Sequence, residues 1–171
     1  MPVLSFIALV SSAAVTAGPP DGQTALLTRI FESTCLDREM KLSVNDARPI
    51  SYDKLPKGLP DGRERAGEPL SANVWLLNTP GRTYLYILRY REIPGIAAER
   101  ICGLASDKLN FEAASDWVLA RSNDQSMIRI PIVWNMREGY VLEATLDEDF
   151  SVLQANWAGQ AEREKVLKNL H

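Results

Sequence analysis

Two cysteines and one histidine are the residues of this chain best suited to nucleophilic or metal chemistry. Cys35 and Cys102 could each be a nucleophile, a metal ligand or half of a disulfide. A catalytic thiol needs a base beside it, and the only histidine is the C-terminal residue His171, where chain ends are usually frayed. A structural zinc site requires about four Cys or His ligands. We therefore expect neither a cysteine nucleophile nor a metal site.

The N-terminal sequence indicates whether the two cysteines meet the oxidising environment that a disulfide requires. Residues 1–17 carry no charged side chain and run from a short apolar stretch into small residues, before a Gly-Pro-Pro segment. This pattern is typical of a secretory signal peptide, and we predict cleavage after Ala17. The alternative is a buried N-terminal helix or strand. A transmembrane anchor is not expected, because the apolar run is shorter than the roughly 20 residues of a membrane-spanning helix. In an oxidising compartment Cys35 and Cys102 are predicted to form a disulfide.

Carboxylates are the other groups that could do chemistry. Asp147, Glu148 and Asp149 are adjacent but lack the alternating ligands of a calcium loop, so a solvated turn is expected. Glu143 could be a general acid, but it alternates with Leu142 and Ala144 and faces solvent if those two are core. The chain has no Gly-x-Ser-x-Gly, phosphate-loop or His-Glu-x-x-His motif. We expect no cofactor.

Aromatic and arginine side chains concentrate in one hairpin. Tyr, Trp and Arg are enriched at binding hot spots, and the candidate binding residues are Trp75, Tyr84, Tyr86, Arg89 and Tyr90. If Leu85 and Ile87 face the core, the three tyrosines face the other way, where either the segment 46–73 or a partner would cover them. The alternative is that the tyrosines pack beneath a helix as core.

Composition narrows the possible classes of protein. Of the 171 residues, 46% are hydrophobic and 24% are charged, as in an ordinary soluble domain. Removing the signal leaves residues 18–171, the size of a single domain. The net charge of −3 argues against nucleic-acid binding, which relies on clustered positive charge.

Helical periodicity predicts helices at 23–36, 110–121 and 158–170. The first ends at Cys35. Strands are predicted at 74–78, 83–91, 100–105, 127–136, 140–146 and 150–157, where a strand is preferred to the start of a helix. Pro131 indicates an edge position or a bulge. Prolines and glycines predict a long loop at 46–73, with a short strand possible near 50–52. The result is an α+β protein with an antiparallel sheet of about six strands, arranged as two αβββ units.

The signal, the cysteine pair and a Cys-Gly-Leu-Ala strand before an amphipathic helix resemble small, uncharacterised secreted proteins of Gram-negative bacteria. This resemblance implies a periplasmic or secreted location and no particular activity. We expect an exported, non-catalytic binding protein, such as an inhibitor or immunity-type partner of another exported protein. The alternative is a periplasmic hydrolase whose carboxylates converge only in the fold. No membrane span is expected after signal removal.

Overall fold

The chain folds into two helices and eight strands within the residues that the structure describes. This computed structural model describes residues 21–159, except 38, 43, 60–66, 92–99, 122–125, 130–131 and 136–137. The predicted signal peptide, and all but the first two residues of the helix predicted at 158–170, lie outside the described residues. The helices are α1 (Gly22–Cys35) and α2 (Phe111–Leu119), and Tyr52–Lys54 forms a 3-10 turn. The strands are β1 (Ala47–Ile50), β2 (Ser71–Leu77), β3 (Thr83–Arg89), β4 (Arg100–Ser106), β5 (Ser126–Arg129), β6 (Ile132–Asn135), β7 (Tyr140–Asp147) and β8 (Phe150–Trp157).

Both helices begin at side chains that cap free backbone amides. Asp21 accepts a hydrogen bond from the Thr24 amide at 2.6 Å, and Asn110 accepts one from the Ala113 amide at 2.9 Å. Each cap satisfies an amide that has no partner inside its helix. The observed helices therefore confirm the two predicted from periodicity at 23–36 and 110–121, with ends shifted by one or two residues.

The strands form one antiparallel sheet in the order β1-β2-β3-β4-β8-β7-β6-β5. In each half, a helix is followed by four strands that each pair with the next in sequence. The two halves join through their last strands, β4 and β8, which pair from Arg100 with Trp157 to Ser106 with Ser151. The α+β class and the antiparallel sheet agree with the sequence prediction, and the sheet has more strands than the six expected.

Each half has one strand more than the predicted αβββ unit. In the first half, β1 lies within the segment predicted as a loop at 46–73 and pairs with β2 at the sheet edge. Pro49 fits there because an edge strand needs hydrogen bonds on one side only. In the second half, the single strand predicted at 127–136 is the β5–β6 hairpin, in which Arg129 pairs with Ile132. Pro131, for which an edge position or a bulge was expected, lies outside the described residues.

One sheet face packs against both helices. Leu27, Phe31, Ala114 and Val118 from the helices are fully buried with sheet residues such as Leu85, Leu104, Leu142 and Leu153. The helices also contact each other, because the rings of Phe31 and Trp117 meet edge to face at 5.8 Å. This core orients the odd-numbered residues of β2, β3 and β8, and the even-numbered residues of β4 and β7, toward the helices.

The predicted disulfide lies in this helix-side core. Cys35, the last residue of α1, is bonded to Cys102 on β4, with their Cα atoms 5.2 Å apart and both side chains fully buried. The indole nitrogen of Trp157 donates to the carbonyl of Cys35 at 3.0 Å, which satisfies one of the free carbonyls at the helix end. The disulfide prediction is therefore confirmed.

The opposite sheet face carries a second core over its first half. Leu55 and Leu59, which follow the 3-10 turn, pack with Val74, Tyr86 and Leu88. The segment predicted as a loop at 46–73 thus contributes both an edge strand and an apolar cover for β2 and β3.

Candidate functional site

The hairpin of β2 and β3 separates the predicted binding residues onto two faces. Val74 pairs with Tyr86, whereas Trp75 pairs with Leu85, and paired residues point to the same side of a sheet. Trp75 packs against the helix-side core together with Leu85. Arg89 alternates with Ile87 and Leu85 and so belongs to the helix side. The tyrosines lie on the other face, so the structure does not bring the five residues together.

Two of the three tyrosines are interior residues. Tyr86 is fully buried, and Tyr90 retains 3% of its exposure. Tyr84 is half-buried, and its ring meets that of Phe150 edge to face at 5.7 Å. Leu55 and Leu59 pack with these tyrosines, so the segment 46–73 supplies the cover, which is one of the two covers expected from the sequence. Of the candidate binding residues, Trp75, Tyr84 and Arg89 keep exposed surface.

A polar row crosses the sheet on the face that carries the second core, and it begins at Tyr86. The register pairs Tyr86 with Gly103, Gly103 with Gln154, and Gln154 with Glu143, across β3, β4, β8 and β7. The Tyr86 ring lies across Gly103, where a Cβ atom would overlap it. The missing side chain lets the Tyr86 hydroxyl donate to Gln154 Oε1 at 2.8 Å, although about 9.6 Å separates their strands. A strand glycine here permits a contact that any other residue would block.

The hydrogen bonds of this row converge on one carboxylate oxygen. Gln154 Nε2 donates to Glu143 Oε1 at 3.0 Å, and Asn156 Nδ2 donates to the same oxygen at 2.8 Å. Gln154 Nε2 also donates to Asn156 Oδ1 at 3.0 Å. Gln154 is only 3% exposed, whereas Glu143 and Asn156 are half-buried. Buried Tyr86 therefore orients buried Gln154, and Gln154 in turn orients the Glu143 carboxylate, which solvent still reaches.

Apolar and hydroxyl side chains surround Glu143 on the same face. Val141 and Thr145 lie two residues away along β7, and Ile132 pairs with Glu143 from β6. All three are half-buried. The Thr145 hydroxyl is shielded from solvent and, within the described part of the chain, has no hydrogen-bond partner. We refer to Glu143, Gln154, Asn156, Val141 and Ile132 as the Glu143 face.

The sequence holds part of the signal for this site. Alternation places Glu143 opposite Leu142 and Ala144, and both of these are fully buried on the helix side as expected. Gln154 and Asn156 alternate in the same way with Leu153, Ala155 and Trp157 on β8. What the sequence lacks is the β7–β8 register, which sets Gln154 beside Glu143.

Another group of carboxylates converges on an arginine. Arg82 Nε lies 3.4 Å from Asp107 Oδ2, and Arg82 Nη2 lies 3.2 Å from Asp149 Oδ2. The Arg82 guanidinium also stacks on the Phe150 ring at 4.8 Å. Hydrogen bonds to Asp149 and then to Asp107 raise the pKa of Arg82 above its usual value. Arg82 is a permanent cation between the two carboxylates. The three side chains therefore form an ion cluster that connects three turns, and the two carboxylates are not arranged as a general acid and a general base.

Other surface features are less specific. A shallow groove of about 470 Å³ lies at the open end of the β1–β2 pair, lined by residues 45–48 and 76–78, none of which was a predicted site residue. Across the described ranges, no three His, Cys, Asp or Glu side chains are grouped to hold a metal ion. No helix among those ranges has the length and apolar character to cross a bilayer.

Comparison with known protein families, with curated proteins and with solved structures found no match to this chain.

Proposed function

We propose that this chain is an exported binding protein that contacts its partner through the Glu143 face. The carrying observation is the convergence of two amide donors on Glu143 Oε1, at 2.8 and 3.0 Å, on a carboxylate that solvent still reaches. A side chain whose orientation is already fixed loses little conformational entropy when it binds. The half-buried Val141 and Ile132 beside it add apolar contact area.

Export is supported by the disulfide and by the N-terminal sequence. Disulfides persist in oxidising compartments and are rare in the cytosol, and the Cys35–Cys102 bond joins α1 to the centre of the sheet. Residues 1–17 have the pattern of a signal peptide. We propose that the mature chain begins at Gly18 and functions in the periplasm or outside the cell.

Site-directed photo-crosslinking in the producing organism tests this proposal. Benzoylphenylalanine replaces Val141 on the Glu143 face or, as a matched control, Glu112, which is exposed on α2 over the other sheet face. We expect one defined adduct from position 141, recovered from the extracytoplasmic fraction. N-terminal sequencing of the same fraction should begin at Gly18.

The control decides how an adduct is interpreted. Equal adducts from positions 141 and 112 would mean nonspecific contact, and no adduct from 141 would contradict binding through this face. A chain recovered only from the cytosol, with residues 1–17 intact, would contradict export.

A further inference from the structure

Glu143 is a half-buried carboxylate whose hydrogen bonds reach only one of its two oxygens. Within the described part of the chain, both bonds end on Oε1, Oε2 has no partner, and no cationic side chain pairs with Glu143. Arg89 and Arg100 belong to the helix side of the sheet. Arg129 shares the row of Glu143, since it pairs with Ile132 and Ile132 pairs with Glu143, but its side chain lies outside the described residues. Among the described side chains, none compensates the charge of Glu143.

An uncompensated carboxylate in partly apolar surroundings favours a cationic ligand. Removing a charge from water is costly unless it is paired and hydrogen-bonded. A bond between a cationic nitrogen and a carboxylate is roughly twice as strong as a neutral hydrogen bond. Val141 and Ile132 lie on the same face, where the alkyl part of an arginine or lysine side chain could pack.

The geometry points to a guanidinium or ammonium group of the partner as the ligand of Glu143 Oε2, an inference that rests on the function proposed above. Asn156 and Gln154 fix the carboxylate from one side and leave its second oxygen to the ligand. Tyr86, hydrogen-bonded to Gln154, anchors this arrangement in the core. The same face thus provides an anion, apolar walls and a rigid support, which together suit the end of a basic side chain.

Side-chain NMR with small probes tests this inference without a known partner. The probes are N-acetyl-arginine methylamide and N-acetyl-lysine methylamide, with the uncharged citrulline analogue as control. The signals are the side-chain amides of Gln154 and Asn156, which report only on this site. We expect saturable shifts with one or both cationic probes, no saturable shift with citrulline, and at least about tenfold weaker binding to Glu143→Gln, as for loss of a charge-assisted hydrogen bond.

Each outcome has a defined meaning. Equal shifts with the arginine and citrulline probes, or unchanged affinity in Glu143→Gln, would overturn the cationic ligand. No saturable shift with any probe would also overturn it. The citrulline comparison uses the unmodified protein, so it holds even if the variant fails to fold. An adduct from position 141 of the otherwise unmodified protein requires only that a partner lies on this face, so such an adduct without any probe binding would leave the proposed binding face standing and overturn the cationic ligand alone.

Discussion

The ring of Tyr86 lies across Gly103 on the neighbouring strand, with no space for a side chain between them. A Cβ atom at position 103 would lie 2.6 Å from Cε2 of the ring and closer still to Cζ and Oη. The hydroxyl of the same ring donates to Gln154, so the contact connects the covered first half of the sheet to the Glu143 face.

Gly103→Ala should destabilise the fold by about 3 kcal/mol, the upper end of the usual cost of overpacking a core. The Tyr86 ring is fully buried and cannot move aside freely. Urea unfolding measures the loss. In a Tyr86→Ala background the same glycine substitution should cost little, because the clashing ring is gone. A full cost in that background would show that strand backbone, not the ring, requires the glycine.

The disulfide should supply a large part of the stability. The bond closes a loop of 67 residues, for which chain entropy predicts roughly 4 kcal/mol. Wild-type protein should therefore unfold at lower urea concentration when a reductant is present. The variant Cys35→Ala/Cys102→Ala should be equally unstable with and without reductant. Two free thiols detected by alkylation in the native exported protein would contradict the bond itself.

The cap of α1 should make stability depend on pH, whereas the cap of α2 should not. The pKa of Asp21 lies below its usual value, chiefly because its carboxylate accepts the Thr24 amide hydrogen. An aspartate with a lowered pKa stabilises the fold above its unfolded pKa of about 3.9, and this stabilisation is lost as pH falls through the lower folded pKa.

Unfolding of Asp21→Asn at several pH values measures this contribution. The variant should be less stable than wild type near neutrality, and the difference should shrink below about pH 4, where the unfolded aspartate takes up its proton. Asn110→Asp places an aspartate at the cap of α2. This variant should be more stable than wild type near neutrality, and the gain should disappear below about pH 4. A difference for Asp21→Asn that stays constant across this range would contradict the assignment.

Thr145→Val should stabilise the protein, by about 1 kcal/mol, because a buried polar group without a partner costs about that much. Its hydroxyl is shielded from solvent and has no hydrogen-bond partner among the described residues. Thr83→Val is the matched control, since the Thr83 hydroxyl is buried and bonds to Thr79 and Ser106 at 2.8 and 2.9 Å. That variant should lose stability. Thermal unfolding distinguishes the two, and destabilisation by both would mean that Thr145 has a partner.

Local patterns predicted the elements whose signals lie within one segment. Periodicity located α1 and α2, because each helix buries one face of a single element. The strands expected at 140–146 and 150–157 match β7 and β8. The pairing of Cys35 with Cys102 needed no structure either, since two cysteines allow only one intramolecular bond.

Features that depend on two distant segments were not predictable in this way. Trp75 and Tyr84 lie on opposite faces because of the β2–β3 register. A shift of this register by one residue would place both side chains on the same face. The burial of Tyr86 depends on Leu55 and Leu59, which lie in a Pro- and Gly-rich segment with no regular period. The β1 strand was expected only as a possible short strand near 50–52, because Pro49 within it is a loop signal.

Glu143→Gln tests most directly whether the Glu143 face binds its partner through the charge of this carboxylate. Glutamine can keep both bonds from Gln154 and Asn156 while removing the charge. The measurement is the yield of the adduct from position 141, taken together with the free energy of unfolding of the same variant. Stability should be unchanged or higher, and the adduct yield should fall by about tenfold, as expected for loss of a charge-assisted bond. An adduct at wild-type yield from a stably folded Glu143→Gln protein would show that the partner does not bind through the charge of Glu143.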